Sequence, residues 1–278
     1  MLTTKVFDYK QSSISYTIIG KGNPVVLLHG FGETSTIYTK QINFLKEHCL
    51  LIIPDLPGSG KSTMLKRSEE TNNKKLSVKY PASINDYADC IAALLTHENI
   101  ATCTLLGHSM GGYITMAFAE RHAHKLNAFG LIHSTAFEDN EQKKENRIKG
   151  INMIREYGGY AFLKSIIPNL FGEKFKHTHA AQINDLIEEA KQFNDDALQQ
   201  YYFAMHNRPN RAAVLQNTTL PVLFIAGTED IVAPINDVLA QASMPQQSFI
   251  HILENVGHMG MWEATDKVNE YLLQFINR

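Results

Sequence analysis

The stretch Gly107-His108-Ser109-Met110-Gly111 decides how this chain is read. It follows the apolar run Cys103-Thr104-Leu105-Leu106 and precedes Tyr113-Ile114-Thr115-Met116-Ala117-Phe118-Ala119, which reads as a helix. A serine framed by glycines between a strand and a helix has the setting of a nucleophile elbow. The turn is too sharp for bulky neighbours, which accounts for the glycines. Backbone strain lifts the Ser109 hydroxyl above the sheet edge, where a base reaches it. The next N–H, that of Met110, opens the helix and points toward an oxyanion forming beside Ser109.

A glycine-rich loop closing a buried strand gives the same pattern, so three other segments bear on the reading. His29-Gly30-Phe31-Gly32 follows Val25-Val26-Leu27-Leu28, and Gly227-Thr228-Glu229-Asp230 follows Pro221-Val222-Leu223-Phe224-Ile225-Ala226. Val256-Gly257-His258-Met259 follows Phe249-Ile250-His251-Ile252-Leu253. Each polar group stands just past a strand-like run. In an open α/β sheet that is the edge where ligands bind.

The rest of the chain supplies the frame. Residues 4–19 alternate as two antiparallel strands joined near Lys10-Gln11, and Val25–Leu28 and Leu50–Ile53 read as short buried strands. Thr36–Glu47 reads as a helix with Ile37, Gln41, Phe44 and Leu45 near one face. Ser83–Glu98 reads as a helix with Ser83 as N-cap and Asp86 completing a capping-box variant. With strands at 102–106 and 128–132, the alternation predicts a parallel sheet with helices on both faces.

The alternation stops between 138 and 217. Ile183, Leu186, Ile187 and Ala190 repeat at helical spacing, while Gly158-Gly159, Pro168 and Pro209 divide the segment into several helices. The segment reads as a helical cap, 138–217, inserted into a core of 1–137 and 218–278. Its 11 basic and 11 acidic residues give it no overall sign that would select a charged substrate. The polar connection at 64–80 reads as a solvated loop or as a flap over the site.

A serine hydroxyl needs an adjacent base to become a nucleophile at neutral pH, and histidine has the matching pKa. Among the 12 histidines, His258 alone occupies a glycine-led loop just after the last strand. His251 lies inside that strand, and His177 and His179 lie in the cap. His206, near the end of the cap, is an alternative pocket residue, and His108 neighbours the nucleophile but is directed elsewhere. A third group must hold the imidazole in the right tautomer, and both Glu229 and Asp230 follow Gly227. The second oxyanion donor is the N–H of Phe31, in the loop after the third strand. Gly58-Ser59-Gly60-Lys61-Ser62 lacks the earlier glycine of a phosphate-binding loop, because that place is Asp55.

Composition sets outer bounds. The chain has 278 residues, 44% hydrophobic and 19% charged, with 26 basic and 28 acidic side chains. A net charge of −2 gives no reason to expect nucleic acid or an anionic membrane as partner. Cys49, Cys90 and Cys103 lack metal-ligand spacing, and Cys49 and Cys103 border apolar runs, which suits core packing in a reducing compartment. The N-terminal residues lack the apolar core of a signal peptide, and no apolar run approaches a membrane span. These features lead us to expect a cytoplasmic protein.

From the His-Gly-Phe-Gly segment, through Asp55-Leu56-Pro57-Gly58-Ser59-Gly60-Lys61-Ser62 and Gly-His-Ser-Met-Gly-Gly, to Gly257-His258-Met259, the chain resembles the α/β-hydrolase superfamily. It is most similar to the small, capped, esterase-like members. The resemblance spans nearly the whole length. It implies an α/β-hydrolase fold: a mostly parallel eight-stranded sheet flanked by helices, with an inserted helical cap. It implies a catalytic triad in the order Ser109, Asp230, His258. Asp230, rather than Glu229, matches the family pattern with a proline four residues on, here Pro234. His29 is structural in that pattern. Relatives that dehalogenate or open epoxides carry aspartate at the place of Ser109, and relatives in menaquinone synthesis tend to carry arginine at the place of Tyr113.

The expected activity is serine hydrolysis of a small, apolar, ester-like acyl compound through an acyl-enzyme, without cofactor or metal. The same three residues also serve carbon–carbon hydrolases, lyases and thioesterases, and a receptor that keeps the triad but turns over slowly belongs to a different class.

Overall fold

The computed structural model describes residues 3–66, 78–79 and 81–278. The loop at 64–80, read above as a surface loop or flap, falls mostly outside the described residues.

β1 (Thr3–Tyr9) and β2 (Ser12–Ile19) form a hairpin in which Tyr9 pairs with Ser12. The two linking residues, Lys10 and Gln11, both have positive φ, as a tight hairpin turn requires. The remaining strands are β3 (Pro24–Leu28), β4 (Leu50–Pro54), β5 (Cys103–His108), β6 (Leu126–Ile132), β7 (Val222–Gly227) and β8 (Ser248–Leu253). All eight join one sheet in the order β1-β2-β4-β3-β5-β6-β7-β8, in which β2 runs against its neighbours and β3 to β8 are parallel.

Parallel strands covered on both faces must be apolar throughout. Every residue of β5 and β7 is buried accordingly. The chain leaves β3 toward one edge of the sheet and leaves β5 toward the other. The loops after these neighbouring strands therefore diverge and open a crevice at their carboxyl ends.

Helices α1 (Thr39–Leu45), α2 (Ile84–His97) and α3 (Met110–His122) flank this sheet. The Ser83 cap is as expected: Asp86 N–H donates to Ser83 Oγ at 3.3 Å and Ser83 N–H donates to Asp86 Oδ2 at 2.8 Å. The helix expected over 36–47 divides into a 3₁₀ turn, Ser35–Tyr38, and α1. Ile37, Gln41 and Leu45 are buried as expected, and the face departs from the expected one only at its margins. Ile42 is buried, whereas Phe44 is exposed and lies against His48. The 3₁₀ turn changes the angle per residue, so the face drawn from an unbroken 3.6-residue period is shifted at its margin.

Between β6 and β7 lie α4 (Glu141–Tyr157), α5 (Gly159–Ile166), α6 (Glu173–Thr178), α7 (Ala180–Glu189), α8 (Asp195–His206) and α9 (Ala212–Asn217). The insertion sits on the sheet edge through buried polar contacts. Tyr201 on α8 donates its hydroxyl hydrogen to the Pro57 carbonyl at 2.7 Å, and the Tyr87 hydroxyl donates to Gln200 Oε1 at 3.0 Å. The segment Asp55–Ser62 thus serves as a docking turn for α8: the Asp55 carboxylate accepts from Ser35 and Lys61 N–H at 2.9 and 3.0 Å.

Helices α10 (Ile235–Ala242), α11 (Gly260–Glu263) and α12 (Thr265–Ile276) complete the chain. No helix among the described residues is long and apolar enough to cross a membrane.

Candidate active site

Ser109 sits where β5 gives way to α3, with φ 52° and ψ −118°. Few non-glycine residues hold a positive φ, and the cost is of order 1–3 kcal/mol. Three hydrogen bonds keep it there. Ser109 N–H donates to the Ile132 carbonyl at 3.0 Å, while its own carbonyl accepts from Ser134 Oγ at 2.7 Å and from Gly112 N–H at 2.9 Å. The flanking glycines are steric necessities. A Cβ on Gly107 would lie 2.2 Å from the Gly111 carbonyl oxygen, and one on Gly111 would lie 2.4 Å from that of Leu28.

Asp230 and His258 meet beyond the ends of β7 and β8. Asp230 Oδ1 accepts from the N–H groups of Val232 and Ala233 at 2.8 and 2.9 Å. Its Oδ2 accepts from His258 Nδ1 at 2.8 Å. Burial works against the Asp230 charge, yet the adjoining imidazoles and their hydrogen bonds hold its carboxyl far below the ordinary range. With its proton on Nδ1, a neutral His258 keeps Nε2 as the basic atom. The His258 N–H donates to the Leu170 carbonyl at 2.6 Å. Glu263 fixes the same loop, accepting from the N–H groups of Gly257 and Met259 at 3.1 Å. Glu229 points elsewhere: it is half-buried, and its carboxylate accepts from Glu173 N–H at 2.8 Å, at the start of α6.

A second histidine shares Asp230. His133, at the end of β6, places Nδ1 3.1 Å from the same Oδ2. Burial pushes its pKa down to about 4, so it stays neutral at pH 7. Its Nε2 has no partner among the described residues. His133, Asp230 and His258 are close enough to suggest a metal site. Ligand atoms around a tetrahedral zinc ion stand about 3.3 Å apart, given zinc–ligand bonds near 2.0 Å. The separations of 2.8 and 3.1 Å to Oδ2 are those of shared protons.

The loop after β3 closes the other side. A Cβ on Gly30 would approach Ser109 Cβ to 2.9 Å, so this loop lies directly against the turn that carries Ser109. The Phe31 N–H makes no hydrogen bond among the described residues, and Met110 opens α3, where the first N–H groups lack intrahelical acceptors. His108, expected to point away, ties these parts together. Its Nδ1 lies 3.0 Å from Glu33 Oε2, and its Nε2 lies 2.9 Å from the His258 carbonyl oxygen. Both partners are oxygen acceptors, an arrangement that favours hydrogen on both ring nitrogens of His108. Despite complete burial, which disfavours the charge, Glu33 raises the His108 pKa, and His108 in turn lowers that of Glu33. Glu33 also accepts from Gly30 N–H at 2.5 Å. One buried ion pair thus links the elbow, the loop after β3 and the loop carrying His258.

Ser109, His258 and Phe31 line one cavity of about 300 Å³, together with Glu33, Arg147, Ile166, Asn169, Leu170, Tyr202, Met205, Ile231 and Val232. No hydrogen bond joins Ser109 Oγ to His258 among the described residues; such contacts commonly tighten when substrate binds. Larger hollows of about 740 and 430 Å³ are lined by neither Ser109 nor His258, so size alone does not locate the site. His206 is not among the residues lining the cavity; it ends α8 and bonds to Asn207.

His133, Glu33, Glu263 and Arg147 have no counterpart in the sequence reading. His133 carried a usable signal, because it stands just past a buried strand, like Ser109, Asp230 and His258.

The chain as a whole has known relatives. The alpha/beta hydrolase fold family matches residues 23–265. Lipase 3 of Moraxella sp. is 28% identical, covering 90% of this chain and 76% of that protein. The dihydrolipoyllysine-residue acetyltransferase component of the Pseudomonas putida acetoin cleaving system is 25% identical over 92% of this chain, which spans 64% of that protein's length. A malate-bound thermophilic esterase from Thermogutta terrifontis superposes with a TM-score of 0.88 at 24% identity, covering 100% of this chain and 98% of that one. The chain belongs to the alpha/beta hydrolase fold family and is a hydrolase.

Proposed function

We propose that this hydrolase cleaves a small ester-like acyl substrate through an acyl-enzyme on Ser109. Ser109 Oγ attacks the carbonyl carbon while His258 Nε2 takes its proton. The N–H groups of Phe31 and Met110 receive the oxyanion, and Asp230 steadies the imidazolium that forms. His258 then protonates the leaving alcohol. A water molecule, deprotonated by His258, attacks the acyl-enzyme; the acyl–oxygen bond breaks, His258 returns the proton to Ser109 Oγ, and the acid leaves. Each step uses groups of the chain, the substrate and water. The observation that carries this reading is the shared cavity: Ser109, on its strained elbow, and His258, anchored to Asp230 through Nδ1, open onto the same space.

Residues 138–217 act as a cap on a core of 1–137 and 218–278. Ile166, Leu170, Tyr202 and Met205 from this cap line the cavity beside Phe31, which favours a short and largely apolar acyl chain. The three cysteines are buried and unpaired, which suits a reducing compartment such as the cytoplasm.

The test is steady release of p-nitrophenol from p-nitrophenyl butyrate. Many turnovers per chain are expected, with loss of turnover in Ser109→Ala. A single burst of one equivalent would favour a receptor that is acylated once. Turnover of the Ser109→Ala protein within tenfold of the unaltered protein would remove Ser109 from the mechanism.

A further inference from the structure

The cap is neutral as a whole but not where it meets the cavity. Asp139, just before α4, is almost fully buried and has two arginine partners. Arg208 Nη2 donates to its Oδ1 at 2.8 Å, and Arg147 Nε donates to its Oδ2 at 3.1 Å. One buried carboxylate thus stands against two guanidinium groups, leaving one positive charge over. Burying an unmatched charge is costly unless a partner arrives.

The two arginines are not equivalent. Arg208 is enclosed: Nη1 donates to the Met205 carbonyl at 2.9 Å, Nη2 also reaches the Phe137 carbonyl at 3.1 Å, and its guanidinium lies 3.8 Å from the centre of the Tyr113 ring. Arg147 lines the cavity that holds Ser109 and His258. Its guanidinium lies 4.9 Å from the centre of the Tyr202 ring, whose side chain lines the same cavity. A guanidinium has five N–H donors, more than Asp139 and Tyr202 take up. Glu33, the acid in the cavity wall, is already matched by His108 and Gly30 N–H. Among the described residues, the surplus charge at Arg147 therefore has no anionic partner in that wall.

We infer that Arg147 is an anion-binding residue of this cavity, and that the substrate is a short ester carrying a second, unesterified carboxylate. The inference rests on the esterase reading for the word ester, and on Arg147 and its neighbours for the carboxylate. A guanidinium pairs with a carboxylate through two parallel N–H···O bonds, which also fixes the ligand's direction. The apolar residues around Ser109 then take the methylene chain between the two ends.

Binding is measured first in the Ser109→Ala protein, so that the answer does not depend on turnover. Monoethyl glutarate and ethyl valerate differ by a carboxylate in place of a terminal methyl. The monoester is expected to bind at least tenfold more tightly. Adding Arg147→Met should remove that preference by roughly 10- to 100-fold, the worth of a hydrogen bond to a charged group. Arg147→Lys should keep part of it, because the charge remains and the fork is lost.

Equal affinity for the two esters in the Ser109→Ala protein, or an unchanged preference after Arg147→Met, overturns the anion site. Should the Arg147→Met protein fail to fold, the comparison of the two esters in the Ser109→Ala protein decides alone. Turnover is measured separately, with the mono-p-nitrophenyl ester of glutarate and p-nitrophenyl valerate. Ser109-dependent turnover without carboxylate preference in binding overturns the anion site and leaves the hydrolytic reading standing. Carboxylate preference in binding without turnover does the reverse.

Discussion

At the scale of single residues, Asp230 carries the greatest demand. Its Oδ2 accepts from two imidazoles and its Oδ1 from two backbone N–H groups. Asp230→Asn preserves the shape but replaces a charge-assisted acceptor with an amide, which favours the wrong tautomer of His258. The serine-protease precedent puts the loss at about 10⁴ in kcat. Glu229→Gln should change kcat/KM by less than about threefold, because a glutamine oxygen still accepts from Glu173 N–H and no catalytic step uses it. Both variants are to be compared on one chromogenic ester between pH 6 and 9; a large loss with Glu229→Gln and a small one with Asp230→Asn would reverse the roles. Glu33 makes a different demand, on stability. Glu33→Gln leaves the buried His108 without its counter-charge, so unfolding in urea should show a loss of about 3 kcal/mol. A loss below about 1 kcal/mol would mean that His108 is neutral in the native protein.

At the scale of elements, the turn between β5 and α3 tolerates nothing larger than glycine at Gly111. Gly111→Ala drives a methyl group into the Leu28 backbone and should cost about 2 kcal/mol or more in urea unfolding. A loss under about 0.5 kcal/mol would mean that β3 yields without strain. In the cap, the aromatic content of the sequence does not tell which side chains face the cavity. Tyr202 does, whereas Tyr157 is exposed and Phe175 stacks between Phe171 and His179. Ile166→Ala and Met205→Ala should therefore shift the preferred acyl length on a series of p-nitrophenyl esters, and Tyr157→Ala should not. Strands and elbow were legible because buried parallel strands are apolar runs and sharp turns need glycine, both of which are local rules. Glu33, His133 and Arg147 were not, because each acquires its partner across 75, 97 and 8 residues respectively, and only Arg147 has that partner nearby in sequence. Even there, the surplus charge needs Arg208, which meets Asp139 across 69 residues of sequence. In the helix at 36–47, Ile37, Gln41 and Leu45 face inward as their spacing implies, and one 3₁₀ turn shifts only the margin, with Ile42 inward and Phe44 outward.

At the scale of the whole molecule, buried histidines couple stability to pH in opposite directions. His133 is held neutral down to about pH 4, whereas the unfolded chain takes up that proton near 6.5. Its contribution is fully present above pH 6.5 and is lost as pH falls through that interval, by about 3 kcal/mol in all. His108 behaves oppositely: its raised pKa stabilises the fold below the unfolded value, and this is lost as pH rises through the folded one. His133→Asn, which suits the positive φ at this position, should therefore melt with a shallower decline in Tm between pH 6.5 and 4.5 than the unaltered protein. An identical decline would show that His133 is not buried as a neutral base. The central claim concerns Ser109, and the most direct measurement of it is the mass of the chain after treatment with a fluorophosphonate. One adduct per chain is predicted, on the peptide containing Ser109, with none on the Ser109→Ala protein. An adduct on another serine, or equal labelling of the Ser109→Ala protein, would contradict the account.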